Sequence, residues 1–281
     1  MKKISLLAYG KINLTLGILD KDEETGLHSV DTYMQTIDWC DYVTLQARSD
    51  DQCTSTWVGR AAPEGDTALK AAELFVAVFE TNGVDVTIQK RLPIGAGLGG
   101  SAADAAAVLR GMAVMYGVDF GQIKDLAASI GADVPFLLGR GLARCTGTGT
   151  QVEPLAPLPQ MYAVVLCPSE PSLTADAYAA YDAQPKKPAE IRGEEIVEML
   201  REERGTKLLT VNHLQKTVAM RVKGVDEGLK LLQDPKALHI AMTGAGSAVY
   251  ALYTDLDAAQ AKADSIAEGR LVRLCRLVND R

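Results

Sequence analysis

The residues with the clearest chemical potential form one run, Pro93-Ile94-Gly95-Ala96-Gly97-Leu98-Gly99-Gly100-Ser101-Ala102-Ala103-Asp104. Glycine lets a backbone approach an anion closely and take positive φ without a Cβ penalty. A helix opening near Ser101 would aim unpaired N–H groups and the positive end of its dipole at that anion. The following alanines, through Ala107, keep the start of the helix slim. This chemistry suits phosphate. It predicts nucleotide contacts from Pro93, Gly95, Gly97, Leu98, Gly99, Gly100, Ser101 and Ala102. A structural reading of the same run is a turn followed by a capping box made by Ser101 and Asp104. The spacing is not a dinucleotide fingerprint, because no acidic residue ends a following strand at the required distance. Nor is it a Walker loop, which needs Lys-Ser/Thr after the glycines.

Two other residues draw notice. Lys11 is a lone cation in an otherwise apolar strand pattern, and its ordinary reading is an exposed strand residue. Asp133 precedes Val134-Pro135, where a helix N-cap with proline in the first turn is the ordinary reading.

These residues need a scaffold. Alternation predicts strands at 4–9, 12–19, 30–37, 41–47 and 84–90, with a turn over Asp20–Gly26 and breaks at Gly10-Lys11 and Asp38–Asp41. Helical spacing marks Ala68–Phe79, the alanine-rich run to Tyr116 stopped by Gly117, and Phe120–Ile130. Val152–Pro159 reads as a proline-rich link between two halves, and Lys186-Lys187-Pro188 as an exposed loop. Beyond the link, strands are predicted at 163–167, 249–253 and 271–277, and helices at 194–203, 208–222, 225–233 and 258–267. Strands and helices mix without regular βα alternation, so the fold class is α+β. Domains are expected at 1–155 and 156–281.

Composition narrows the partners. The net charge of −7 argues against duplex nucleic acid or an anionic membrane, both of which require concentrated Lys and Arg. No stretch approaches the roughly 20 apolar residues of a spanning helix. The five cysteines are scattered with no CxxC pair, which points to reduced thiols, a cytoplasmic setting and no metal site. No feature reports an oligomeric state.

Four segments in order carry a family resemblance. The glycine run resembles the Pro-x-x-x-Gly-Leu-Gly-Ser-Ser-Ala-Ala loop of the GHMP kinase superfamily. Ala8-Tyr9-Gly10-Lys11-Ile12-Asn13-Leu14, Gly131-Ala132-Asp133-Val134-Pro135 and Met242-Thr243-Gly244-Ala245-Gly246-Ser247 resemble segments of its branch that phosphorylates a diphosphocytidyl-linked alcohol of isoprenoid synthesis. The resemblance implies a two-lobed GHMP kinase fold with its site in the cleft between lobes, ATP delivered with Mg²⁺, and a small alcohol as acceptor. It implies Asp133 as general base and Lys11 as the cation that stabilises carboxylate and phosphate. It places Asn13, Leu27, His28, Asp133, Tyr178, Thr243, Gly244 and Gly246 at the substrate, with Tyr178 stacked on cytosine. Ser101 is the implied hydroxyl near magnesium. The chain departs from the branch at Leu27, where a tyrosine stands in Gly-Tyr-His, and at Asn212-His213-Leu214-Gln215. The first departure leaves a second acceptor alcohol open, and a non-catalytic nucleotide-binding relative is the alternative of another class.

Overall fold

A computed structural model describes residues 2–185, 190–207 and 209–279. The Lys186-Lys187-Pro188 loop expectation lies outside these residues. The chain opens with two long strands, β1 (Lys3–Lys21) and β2 (His28–Ala47). The predicted breaks do not occur. Lys11 stays inside β1 because its ammonium donates to Asn13 Oδ1 at 2.6 Å. Asp41 stays inside β2 because its carboxylate accepts the Leu92 N–H at 2.8 Å and the Lys90 ammonium at 2.5 Å. A satisfied buried charge does not end a strand.

After β2 come β3 (Thr54–Trp57), α1 (Thr67–Phe79), β4 (Val84–Gln89), α2 (Gly100–Tyr116), α3 (Ile123–Ile130) and α4 (Val134–Leu138). Next are β5 (Leu142–Thr146), β6 (Gln151–Pro154), β7 (Tyr162–Cys167), α5 (Thr174–Asp182), α6 (Gly193–Arg201), α7 (Gln215–Ala219) and α8 (Lys223–Leu231). The chain ends with β8 (His239–Met242), β9 (Val249–Tyr253), α9 (Leu256–Ile266) and β10 (Leu271–Arg276). The class is α+β, as predicted.

The chain forms two compact units. The first comprises Met1–Gly10, Trp39–Leu92 and Gly99–Arg140. In it, Tyr42–Ala47 pairs antiparallel with β4, and β4 pairs parallel with β3. Val84, Val86 and Ile88 alternate inward, and α1 buries Ala68, Ala71, Ala72 and Phe75, spaced three and four apart. Asp66 caps α1 by accepting the Ala68 N–H at 3.0 Å. Small side chains let α2 approach closely: a Cβ on Gly111 would stand 2.4 Å from Leu45 Cδ1.

The second unit comprises Lys11–Asp38, Pro93–Leu98 and Gly141–Arg281. Thr32–Gln35 of β2 pairs antiparallel with β5, and β5 with β6. Val152–Pro154 thus lies in a strand and not in the predicted link. A second sheet runs β10-β7-β9-β8, antiparallel throughout. Val164, Leu166, Val249 and Ala251 of that sheet share a core with Leu16, Ile18 and α9 residues Ala259, Ala263 and Ile266. The predicted helix over 208–222 shrinks to α7. Val211 and His213 instead exchange backbone hydrogen bonds with Leu16, and Asn212 Oδ1 accepts the Leu214 N–H at 2.9 Å, closing a turn that competes with helix. No helix among the described residues is long and apolar enough to cross a membrane.

His239 of β8 is fully buried, with Nδ1 2.6 Å from Thr206 Oγ1 and its ring 5.6 Å from that of Tyr250. Burial pulls its pKa down to about 4, partly opposed by a hydrogen bond with the Leu14 backbone. The unfolded chain protonates near the ordinary value of about 6.5. The folded state therefore binds fewer protons between these values, and stability falls as pH drops through the window. The loss at pH 4 is on the order of 3 kcal/mol. We predict that urea-unfolding stability of the wild type declines from pH 6.5 toward 4 more steeply than that of His239→Asn. Parallel pH profiles would refute the assignment.

Candidate active site

A buried polar node ties β1 to two glycine-rich segments of the second unit. Lys11, Asn13 and Thr243 are each 3% exposed or less. The Lys11 ammonium donates to Asn13 Oδ1, and the Lys11 N–H donates to Leu98 O at 3.0 Å. Asn13 Nδ2 donates to Thr32 Oγ1 at 2.8 Å, and the Asn13 N–H donates to Thr243 Oγ1 at 3.1 Å. The Thr243 hydroxyl proton faces two acceptors, Gly97 O at 3.1 Å and Asn13 Oδ1 at 3.3 Å. Tyr250 closes the set from β9 by donating to Asn13 O at 2.8 Å. Each side chain thus holds the next, and alternation along β1 puts Lys11 and Asn13 on one face.

The two glycine segments fit against each other without room for side chains. Gly97 has φ 75°, and a Cβ there would lie 2.2 Å from Thr243 O. Gly244, with φ 57°, would carry a Cβ 3.4 Å from both Gly97 O and Lys11 Nζ. The Ala248 N–H donates to Ala96 O at 3.1 Å. Gly246 has φ 85°, and a Cβ there would meet Met242 Sδ at 2.8 Å. Asn212 brackets this turn. Its Nδ2 donates to Met242 O and Gly244 O, both at 2.9 Å. Only the tertiary contact reveals that function.

Gly99, in the first unit, is the N-cap of α2 with φ 72°, and Gly95, in the second, has φ 68°. Alternate residues Gly95, Gly97 and Gly99 are therefore all left-handed, a conformation that glycine adopts without cost. α2 begins at Gly100, one residue before the predicted start. Ser101 in its first turn is exposed, Ala102 is half-buried, and Pro93 at the entry of the loop is half-buried. The capping box is absent: the N-cap position makes no side-chain hydrogen bond, and Asp104 is 1% exposed and bonded to Lys90 at 2.6 Å. Asp133 does occupy the N-cap position of α4, with proline in the first turn, yet its side chain makes no capping bond.

Leu27 and His28 belong to the second unit. Leu27 sits 56% exposed at the tip of the β1–β2 hairpin. His28 is fixed by two acceptors, with Nδ1 3.0 Å from Leu19 O and Nε2 2.8 Å from Asp182 Oδ1. Asp182 also accepts from Lys21 at 2.9 Å, and its carboxyl is held below the ordinary range chiefly by Lys21. Tyr178 lies with its ring centroid 5.8 Å from that of His28, while Tyr181 meets His28 edge-on and stacks on His213. A cavity of about 530 Å³ opens beside His28, Tyr181, Asp182 and His213. Asp182 was not expected from sequence, since its partner is 154 positions away.

Among the described residues, no group of three or more His, Cys, Asp or Glu is arranged to hold a metal.

Family models match twice: the GHMP kinases N terminal domain over residues 66–141, and the GHMP kinases C terminal domain over 192–269. The chain is 34% identical to 4-diphosphocytidyl-2-C-methyl-D-erythritol kinase of Caldicellulosiruptor saccharolyticus, covering 89% of this chain and 88% of that one. It is 32% identical to the enzyme of that name from Moorella thermoacetica, covering 95% and 96%. A solved structure of 4-(cytidine 5'-diphospho)-2C-methyl-D-erythritol kinase superposes with a TM-score of 0.84 at 27% identity, over 98% of this chain and 99% of that one. Matches of this identity and coverage carry one conclusion: the chain belongs to the GHMP kinase family of ATP-dependent small-molecule kinases.

Proposed function

We propose that the chain transfers the terminal phosphoryl group of ATP to the 2-hydroxyl of 4-diphosphocytidyl-2-C-methyl-D-erythritol, in isoprenoid precursor synthesis. The observation that carries this reading is the buried Lys11 ammonium, held by Asn13 and joined through Thr243 to Gly97 of the glycine loop. A cation fixed beside a phosphate-binding backbone suits a loose transition state, which needs alignment and charge neutralisation. The names of the curated relatives support the acceptor.

Residue roles follow from the chemistry. The backbone of Pro93, Gly95, Gly97, Leu98, Gly99, Gly100, Ser101 and Ala102 receives the phosphates of ATP. Asp133 accepts the proton of the attacking hydroxyl, a role supported by the resemblance of Gly131-Ala132-Asp133-Val134-Pro135 to the family segment. Lys11 stabilises that carboxylate and the charge developing on phosphate. Asn13, Thr243, Gly244 and Gly246 line the acceptor. His28 and Tyr178 receive the cytosine end, where Leu27 covers the base. Magnesium delivered with ATP would supply neutralisation of phosphate charge, and the exposed Ser101 hydroxyl in the first turn of α2 is the side chain that would contact it. Domains meeting near residue 155 belong to the same reading and are supported by family matches on either side. So does a cytoplasmic setting, supported by scattered cysteines without a disulfide spacing.

Leu27 favours a second reading in which the acceptor is another small alcohol. A leucine packs on a base but lacks a π face.

Three measurements decide. ADP release with magnesium-ATP should require 4-diphosphocytidyl-2-C-methyl-D-erythritol and should fall by about 10²–10⁴-fold in Asp133→Ala. Acceptor-independent ADP release, or a variant as fast as wild type, would sink the acceptor or the base respectively. Leu27→Tyr should lower KM for this acceptor by about threefold to tenfold with kcat unchanged, the worth of one aromatic contact. An unchanged KM would favour the other alcohol. Gly97→Ala should cost about 2–4 kcal/mol of stability, because φ is positive and the new methyl meets the Thr243 carbonyl. A thermal midpoint within a degree of wild type would contradict that packing.

A further inference from the structure

Beneath the first turn of α2, three charged side chains are sealed from solvent. Asp41 of β2, Lys90 immediately after β4 and Asp104 of α2 have side chains 0%, 5% and 1% exposed. The Lys90 ammonium bridges the two carboxylates, at 2.5 Å to Asp41 Oδ2 and 2.6 Å to Asp104 Oδ2. It also lies 5.2 Å from the centroid of the Trp57 ring. Asp41 Oδ1 accepts the N–H groups of Arg91 and Leu92. A Cβ on Gly100 would stand 3.4 Å from Lys90 Nζ and 3.7 Å from Asp41 Oδ2.

The placement of these bonds in the sequence is informative. Asp41 grips residues 90–92, which enter the glycine loop. Asp104 grips the helix by which the chain leaves it, one turn after the Gly99 cap. Lys90 joins the two grips, so one cation closes the stems of the loop whose middle is Pro93–Leu98.

Stability alone does not account for the arrangement. Two carboxylates share one ammonium, and Asp104 Oδ1 is buried with no hydrogen-bond partner. Burial pushes the Asp104 carboxyl up to about 7, Lys90 opposes this, and Asp41 adds to it. Apolar residues of similar volume often replace such buried ion pairs with no loss of stability. What a leucine cannot supply is a directional, fixed-length tie between two backbone stems. The Ser101–Asp104 capping box would have spent the same carboxylate locally; here it reaches across to Lys90 instead.

We infer that Lys90, Asp41 and Asp104 are positioning residues that set the spacing of the glycine-loop stems and thereby its affinity for the phosphates of ATP. None of the three is placed against the nucleotide. The inference rests on the nucleotide reading of that loop, and its test separates the two.

ATP binding without acceptor, followed by calorimetry in the presence of magnesium, is compared among wild type, Asp104→Ala and Asp104→Asn, together with amide hydrogen exchange over Pro93–Gly99. Asp104→Ala should weaken ATP binding by about tenfold or more and speed exchange of the loop amides. Asp104→Asn, which keeps a neutral oxygen for Lys90, should fall between the two. In turnover, KM for ATP should rise while KM for the acceptor stays within about twofold. Unchanged ATP affinity and loop exchange, with only a lower thermal midpoint, would overturn the inference and leave a purely structural cluster. Should Asp104→Ala fail to fold, Asp104→Asn decides alone: affinity and exchange equal to wild type reject the tie. If wild type itself binds no ATP, the nucleotide reading fails, and with it the assigned effect on affinity. Loop exchange then still accepts or rejects the tie itself.

Discussion

A lysine ammonium removed from water requires an acceptor held in place at all times. In this chain one such acceptor is the Asn13 amide, two residues further along the same face of β1. An amide oriented to offer oxygen to Lys11 must point its nitrogen elsewhere, and Thr32 receives it. The Asn13 N–H then takes the Thr243 hydroxyl, whose proton is directed at Gly97 and Asn13. One buried charge thereby dictates the orientation of an amide, a hydroxyl and two glycine turns. Tyr250 and Asn212 add no charge, yet each fixes backbone carbonyls that the network leaves exposed to rotation. Electrostatic preorganisation of this kind is what phosphoryl transfer asks of a protein, since its transition state offers little covalent chemistry to assist.

Much of the scaffold was legible because its signals are local. Alternation marked β4, apolar spacing marked α1, and Gly117 marked the end of α2. The glycine loop announced itself through residue type alone. Failures cluster where a polar residue finds its partner far along the chain. Lys11 and Asp41 read as interruptions of strands because nothing within a few positions hints at what satisfies them. Asp104 read as half of a capping box for the same reason; Lys90, its partner, lies just past the strand before the loop. The helix expected over 208–222 carried adequate propensity, but Asn212 used its side chain to close a turn. β3, β5 and β6 are four or five residues long, too short for alternation to register.

For the candidate site, the individual residues of the loop, Lys11, Asp133 and the Thr243 turn were readable through motif resemblance. Their mutual contacts were not. Nothing in sequence spacing links Asn13 to Thr243, 230 positions apart, or His28 to Asp182. Those pairings are consequences of β1 and β2 running without a break, which brings Thr15, Thr32 and Tyr33 into register with the node.

The β1–β2 hairpin tip is a self-contained turn. Asp22 Oδ1 accepts the N–H groups of Glu24 and Thr25 and the Thr25 hydroxyl, and backbone bonds link Asp22 to Gly26 and Leu27. Its shape is therefore written in residues 22–26, and the side chain at 27 projects from it without bearing on the core. Change at this position is uncoupled from folding. A lineage carrying this hairpin can exchange an aromatic for an aliphatic side chain there, and back again, without disturbing the turn that presents it. Leucine at this position thus answers to no demand made by the fold.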